Sequence, residues 1–306
     1  MLTDLDPSLD LVLERTIKAP RALVWECWTT PEHLVHWFVP KPHRVTACAL
    51  DVRVGGKCNT TFEVEGAEMQ NNGVYLEVIP GEKLVFTDTY TEGWKPAPEP
   101  FMTAILLFED TEDGHTRYTA IARHRNTDTA EQHKQMGFYD GWGIVVTQLE
   151  AYAQGLQAEI DARTLVIERL IDAPVAAVWK AWTDPAALPL WWGPDGFSCR
   201  TQRIDLRQGG EWVFDMIGPD GTVFPNHHRY TRHVPQTRID YTLLWGENGP
   251  KHADASALFE DLGGRTKVTL RMIMITQAES QQAREFGALE LGQQTLGKLA
   301  RAVAAG

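Results

Sequence analysis

Basic charge is scarce in this chain. The 29 Lys and Arg stand against 41 Asp and Glu, a formal net charge of −12. Nucleic-acid binding needs a basic footprint to meet phosphate, so that class is excluded, and docking on anionic lipid is disfavoured on the same ground. The deficit is uneven: residues 1–160 carry 13 Lys and Arg against 24 Asp and Glu, while residues 161–306 carry 16 against 17. An acidic, solvated surface is expected. Cysteine is scarce too. Cys27, Cys48, Cys58 and Cys199 form no CxxC pair, which reads as reduced, packed thiols, not as a disulfide framework or zinc site. No stretch approaches the ~18 consecutive apolar residues of a membrane span, so no membrane insertion is expected. The opening MLTDLDPSLD is acidic without an apolar run and does not read as a secretory signal. A cytoplasmic location is expected. GxSxG, P-loop, GxGxxG and HExxH signatures are all missing, so no cofactor, no resident metal and no catalytic residue is expected.

What the chain does have is a repeat. Its 306 residues suit two domains of roughly 150, and a shift of 154 lays the sequence on itself. Leu11-Val12-Leu13-Glu14-Arg15 meets Leu165-Val166-Ile167-Glu168-Arg169, and Trp25, Trp28 and Trp37 meet Trp179, Trp182 and Trp191. Asp51, Arg53, Gly55 and Gly56 meet Asp205, Arg207, Gly209 and Gly210. Residues 11–56 hold 20 identities in 46 ungapped positions. Beyond them the shift drifts to 155 at Tyr75/Tyr230 and to 151 at Phe108/Phe259, as loops of differing length would produce. Two domains are expected, 1–157 and 158–306, joined by a short polar linker near 154–162.

Within the first copy, residues 9–17 alternate as a strand. Ala19-Pro20 stops it, and Pro20 starts a helix through Trp28 with Val24, Trp25 and Trp28 facing inward. Thr30-Pro31 starts a second short helix ending near Trp37. Strands are expected over 44–52, 57–65, 71–79, 83–90, 100–109 and 115–124, with turns at Gly55-Gly56 and Pro80-Gly81. From 128 to 154 the period becomes helical, with Met136, Tyr139, Gly143, Val146 and Leu149 on the inner face. Such a meander needs an apolar cover, and the long helix supplies it.

This order and its motifs resemble the START-like, or birch-pollen-allergen-like, superfamily, and within it the family of activator of heat-shock-protein-90 ATPase homologues. Ala173-Pro174, Val178-Trp179, Trp182-Thr183-Asp184-Pro185, Trp191-Trp192-Gly193-Pro194 and Gly218-Pro219-Asp220-Gly221 carry the resemblance in the second copy. Trp37-Phe38, Asn72-Gly73, Pro96 to Pro100 and Gly141-Trp142-Gly143 carry it in the first. It implies tandem α+β helix-grip domains, each a curved antiparallel sheet around a long C-terminal helix with an internal cavity. The second copy departs where Leu291-Gly292 replaces Gly-Trp and His227-His228 replaces Asn72-Gly73.

The leading expectation is binding of a small apolar molecule in a cavity between sheet and long helix. Adjacent aromatics at a helix end cannot all face one core, which singles out Trp37 with Phe38 and Trp191 with Trp192 as wall residues. Trp94 sits in a long Pro-rich connection and Trp245 in its shorter counterpart, with Phe138 and Trp142 on the long helix. Arg123, His124 and His228 are the polar candidates. Asp51/Arg53 and Asp205/Arg207 read as ion pairs bracing a Gly-Gly turn. Two alternatives remain: an interaction module acting on a heat-shock-protein-90 homologue, and a cyclase- or hydrolase-type enzyme. The first copy is expected to be the binder, on the strength of the glycines beside Trp142 and a lid over 94–100.

Overall fold

The computed structural model describes residues 4–304. The chain divides into two compact units, Met1–Ala158 and Glu159–Gly306.

The first unit opens with β1 (Asp10–Ile17), α1 (Arg21–Thr29) and α2 (Pro31–Leu34). It continues through β2 (Arg44–Leu50), β3 (Cys58–Val64), β4 (Ala67–Asn71), β5 (Val74–Ile79), β6 (Lys83–Thr87), β7 (Tyr90–Thr91), β8 (Lys95–Pro96), β9 (Thr103–Asp110) and β10 (Thr116–Arg123). α3 (Thr127–Gln135) and α4 (Phe138–Ala162) close it. Pro20 is the N-cap of α1, its fixed φ of −61° leading into the helix. Thr116 Oγ donates to the Ala19 carbonyl at 2.8 Å and pins this corner to the sheet.

The second unit repeats the order. β11 (Thr164–Ile171), α5 (Val175–Thr183) and α6 (Leu188–Trp191) precede β12 (Ser198–Ile204), β13 (Glu211–Ile217), β14 (Val223–Val234), β15 (Arg238–Trp245), β16 (Lys251–Asp261) and β17 (Thr266–Met274). α7 (Gln277–Glu285) and α8 (Ala288–Ala304) follow. Thr266 Oγ donates to Ala173 O at 2.8 Å, the counterpart of Thr116. Both units are therefore α+β helix-grip domains: an antiparallel sheet, two short helices after its first strand and a long helix after its last.

They differ in the sheet. The second unit has one seven-stranded sheet in the order β11-β17-β16-β15-β14-β13-β12. In the first, β1-β10-β9-β6-β5 and β2-β3-β4 are separate sheets. The break falls at Asn72-Gly73, where a strand over 71–79 was expected. A Cβ on Gly73 would lie 2.4 Å from the Thr87 carbonyl oxygen, so only glycine fits there. The second unit runs straight through this position as His227-His228 in β14, paired on both sides.

The single helix expected over 128–154 is two, interrupted at Gly137 with φ +91°. Asn126 caps the first, its Oδ1 accepting from Thr129 N at 2.9 Å. Met136 and Tyr139 flank this interruption and are exposed, not inward. Val146 and Leu149 are buried as expected. The residues expected to form a linker over 154–162 continue α4, because Leu156, Gln157, Ala158 and Glu159 are good helix formers and no proline intervenes. Among the described residues no helix is long and apolar enough to cross a membrane.

Candidate functional site

In the first unit α1 lays Trp28 across the inner face of the sheet. Its ring lies edge-on to Trp37 at 4.7 Å and to Phe38 at 5.4 Å, and stacks over Tyr118 at 6.1 Å. The period of the helix buries Leu23, Val24, Cys27 and Trp28 together. Beneath Trp28, between α1, α2 and strands β3 to β6, lies a recess walled by Trp28, Phe38, Cys58, Thr60, Tyr75 and Phe86. It holds about 290 Å³ of unfilled space counting its mouth, but in crevices so narrow that only about 10 Å³ admits a water. That is room for one water or one ligand oxygen.

Two of the residues that line it carry buried polar atoms without partners. Among the described residues, Trp28 Nε1 and the Tyr75 hydroxyl are buried and make no hydrogen bond. The neighbour of the Tyr75 hydroxyl is the Cys58 thiol, a weak acceptor whose contact with it falls short of a well-formed bond. A buried unsatisfied donor costs about 1–3 kcal/mol, so an acceptor reaching either atom would be stabilising. Burial pushes the Cys58 thiol up to about 12, opposed only weakly by Tyr75. The same desolvation, with the nearby thiols, drives the Tyr75 phenol far above its ordinary value. Both remain protonated at neutral pH. Neither serves as a base or nucleophile.

Of the residues singled out from sequence, Phe38 is in this wall. Trp37 is fully buried behind it, donating to Cys27 O at 3.3 Å, and Trp191 does the same to Ala181 O at 2.9 Å. Arg123 is not in this wall and grips the buried Asp10 carboxylate through Nε and Nη2 at 2.8 and 2.7 Å. His124 is buried, but on protein. Its Nδ1 lies 2.9 Å from the Leu9 carbonyl, which can only accept, so Nδ1 carries the proton and Nε2 accepts from His133 Nδ1–H at 2.9 Å. Phe138 packs edge-on against His133 at 5.0 Å and lies 5.5 Å from Trp142, away from the recess. Trp94 and Trp245 lie on the surface, Trp94 near Tyr90 and Trp245 stacked on His252 at 4.2 Å. They are exposed because each flanks a turn with left-handed backbone, at Trp94 itself and at Gly246. The glycines beside Trp142 suggested close approach or cavity space: a Cβ on Gly141 would meet nothing within 4 Å, and one on Gly143 would meet the Arg15 guanidinium at 3.7 Å.

In the second unit aromatic rings take the corresponding place. His228 is buried among Trp192, Trp212, Phe214 and Tyr241, with ring centroids 5.0–5.5 Å away. Burial first, then His252 and His227, push its imidazole down to about 3, so it is neutral. The long helices tie down the loop after the second short helix in both units. Gln148 Nε2 donates to Trp37 O and Val39 O at 2.8 Å, and Lys298 Nζ donates to Phe197 O at 3.0 Å.

The sequence signal for Cys58 and Thr60 lay in the repeat, where small strand residues of one copy meet large ones of the other; Tyr75 meets Tyr230 and gives no such contrast. Strand periodicity alone places them in an ordinary sheet. His133 carried no signal, because a histidine in a polar helix reads as solvated.

Fold and recess together define a tandem helix-grip protein whose first unit has a narrow, apolar-walled recess. The chain belongs to the family described as Activator of Hsp90 ATPase homolog 1-like protein, which it matches over residues 18–154 and 172–304. A Nitrosomonas europaea protein of solved structure is 39% identical, aligned over 50% of this chain and 99% of its own, with a TM-score of 0.49. The AHSA1 protein of Silicibacter pomeroyi is 23% identical over 46% of this chain and 98% of its own, with a TM-score of 0.39. The di-domain ARO/CYC BexL from the BE-7585A biosynthetic pathway aligns with 96% of this chain and 98% of its own at 14% identity and a TM-score of 0.37. Comparison with curated proteins finds no match.

Proposed function

We propose that this protein binds a small, mostly apolar molecule in the recess of its first unit, between the sheet and the short helices α1 and α2. The expected place, against the long helix, gives way to this one because no residue of α4 is in its wall. The observation that carries the reading is the pair of buried, unpartnered donors, Trp28 Nε1 and the Tyr75 hydroxyl, on an aromatic-walled space. Binding is favoured over catalysis because the ionisable groups on the wall, Cys58 and Tyr75, are held protonated. The buried His228 of the second unit is sealed in rings, out of reach of a substrate.

Titrating the chain with an apolar fluorescent probe, and displacing it with lipid extract, tests the reading. Saturable, displaceable binding that Phe38→Ala weakens is the expected outcome. A chain that shows no saturable uptake of any apolar probe would overturn it.

A further inference from the structure

The two units carry the same backbone around the recess but fill it differently. Cys58 pairs across the sheet with Leu50, and Trp212 pairs with Ile204. Gly55 N donates to Tyr75 O and Gly209 N to Tyr230 O, each at 2.8 Å, and Tyr75 N and Tyr230 N return bonds of 3.0 Å to Gly56 O and Gly210 O. Tyr75 pairs with Phe86, and Tyr230 with Tyr241. These bonds fix the correspondence residue by residue. Position 58 is Cys in the first unit and Trp212 in the second; position 60 is Thr and Phe214; Gly73 becomes His228, and Phe38 becomes Trp192.

Every one of these changes enlarges the side chain. In the second unit Trp212 and Phe214 are fully buried and stacked, their centroids 3.7 Å apart and their planes 15° from parallel. His228 stands edge-on to both at 88°, and Trp192 meets Trp212 at 73°. Aromatic groups packed face to face and edge to face satisfy one another's quadrupoles. The second unit thus holds, as part of its own chain, a flat aromatic stack where the first unit borders its recess with a thiol and a hydroxyl, Gly73 being closed off by the Thr87 carbonyl.

We infer that the first unit takes from solution what the second builds in: a flat aromatic molecule carrying an oxygen that accepts from Trp28 Nε1 and the Tyr75 hydroxyl. The second unit, plugged by Trp212, Phe214 and His228, takes nothing there. The inference rests on the binding reading above and specifies its ligand. The first unit also has the means to open. Its β3-β4 hairpin is laddered like the β13-β14 one, but β4 ends at Asn71 and β5 begins at Val74, whereas β14 runs unbroken from Val223 to Val234. A hairpin joined to the main sheet through a break at Asn72-Gly73 can swing to admit a ring; one joined by a continuous strand is held shut.

Calorimetric titration of the full chain with 2-naphthol, naphthalene and decahydro-2-naphthol is the test. The first has the ring and the oxygen, the second only the ring, the third the oxygen on a saturated skeleton. One 2-naphthol per chain is expected, with naphthalene about tenfold weaker for want of the acceptor and the saturated alcohol weaker by a similar factor. The graft Cys58→Trp with Thr60→Phe is expected to abolish uptake. Two equivalents per chain, or a saturated alcohol binding as tightly as 2-naphthol, overturns the inference on the unaltered chain, whether or not the graft folds. A chain that takes up apolar probes but not 2-naphthol loses this inference and keeps the broader reading. A chain that takes up neither loses both.

Discussion

At the scale of single residues, the recess makes an unusual demand on Tyr75. A buried hydroxyl normally supports the fold, but this one has no partner among the described residues, so removing it relieves an unpaid desolvation. Tyr75→Phe is expected to leave the unfolding free energy unchanged or raise it by about 1 kcal/mol, while weakening 2-naphthol binding several-fold. Urea denaturation and calorimetry on the same preparation check both halves. Arg123 is the opposite case. Burial pushes the Asp10 carboxyl up, but the bonds from Arg123 and the Asp6 amide outweigh it and hold the group below its usual value. Arg123→Ala strands that carboxylate, for an expected loss of about 2 kcal/mol, discounted from fully buried pairs because the guanidinium is partly solvated. A denaturation midpoint unchanged by the substitution would rule this out.

The histidines set the response to acid. Burial and the neighbouring His124 push His133 down to about 4, and His228 lies near 3. Their unfolded values lie near 6.5. On acidification the unfolded chain therefore takes up these protons first. The stability that neutral imidazoles contribute is complete above about pH 6.5 and is lost as pH falls toward 4. Each unit is expected to lose on the order of 1–2 kcal/mol between pH 7 and 5. His228→Phe, which keeps the ring packing, should flatten that slope for the second unit alone.

At the scale of elements, the repeat with its two prolines, paired tryptophans and Gly-Gly turns made the helix-grip order legible in the sequence. Phe38 was legible as a wall residue because adjacent aromatics cannot share one core. Cys58, Thr60 and Tyr75 were not, since a strand residue shows its alternation but not what lies across from it. Arg123 and His124 were misplaced for the same reason: the sequence shows a polar strand end, and only the fold shows Asp10 and His133 beside it. The split sheet was likewise hidden, because it depends on the distance from Gly73 to the Thr87 carbonyl. That contact makes its own prediction. Gly73→Ala must push the Thr87 backbone aside and is expected to cost about 2–4 kcal/mol, read from the thermal midpoint. Amide exchange should also run faster at Asn72-Gly73, between β4 and β5, than at His227-His228, which β14 pairs on both sides. Equal protection at the two positions would contradict the proposed opening.

At the scale of the whole molecule, duplication has produced two units with one plan and unequal interiors. The second buries a continuous cluster from Ile167 to Leu299 under a seven-stranded sheet, while the sheet of the first is divided in two. Two calorimetric unfolding transitions are therefore expected, the first unit melting below the second. A saturating ligand should raise only the lower one, by mass action on the native state. A single transition that shifts as a whole, or a shift in the upper transition, would count against this division.

Trp28 is one of eleven tryptophans in the chain, and it borders the recess with its indole N–H unpartnered. An occupant whose absorption overlaps indole emission would drain its excited state at contact distance. A hydrogen bond to that nitrogen would shift its emission to longer wavelength. Trp212, pressed 3.7 Å from Phe214 and bonded through Nε1 to Thr201 Oγ at 3.1 Å, would keep its spectrum. The fold thus carries a built-in optical reporter in the half proposed to bind, and a spectroscopically quiet reference in the half that is full.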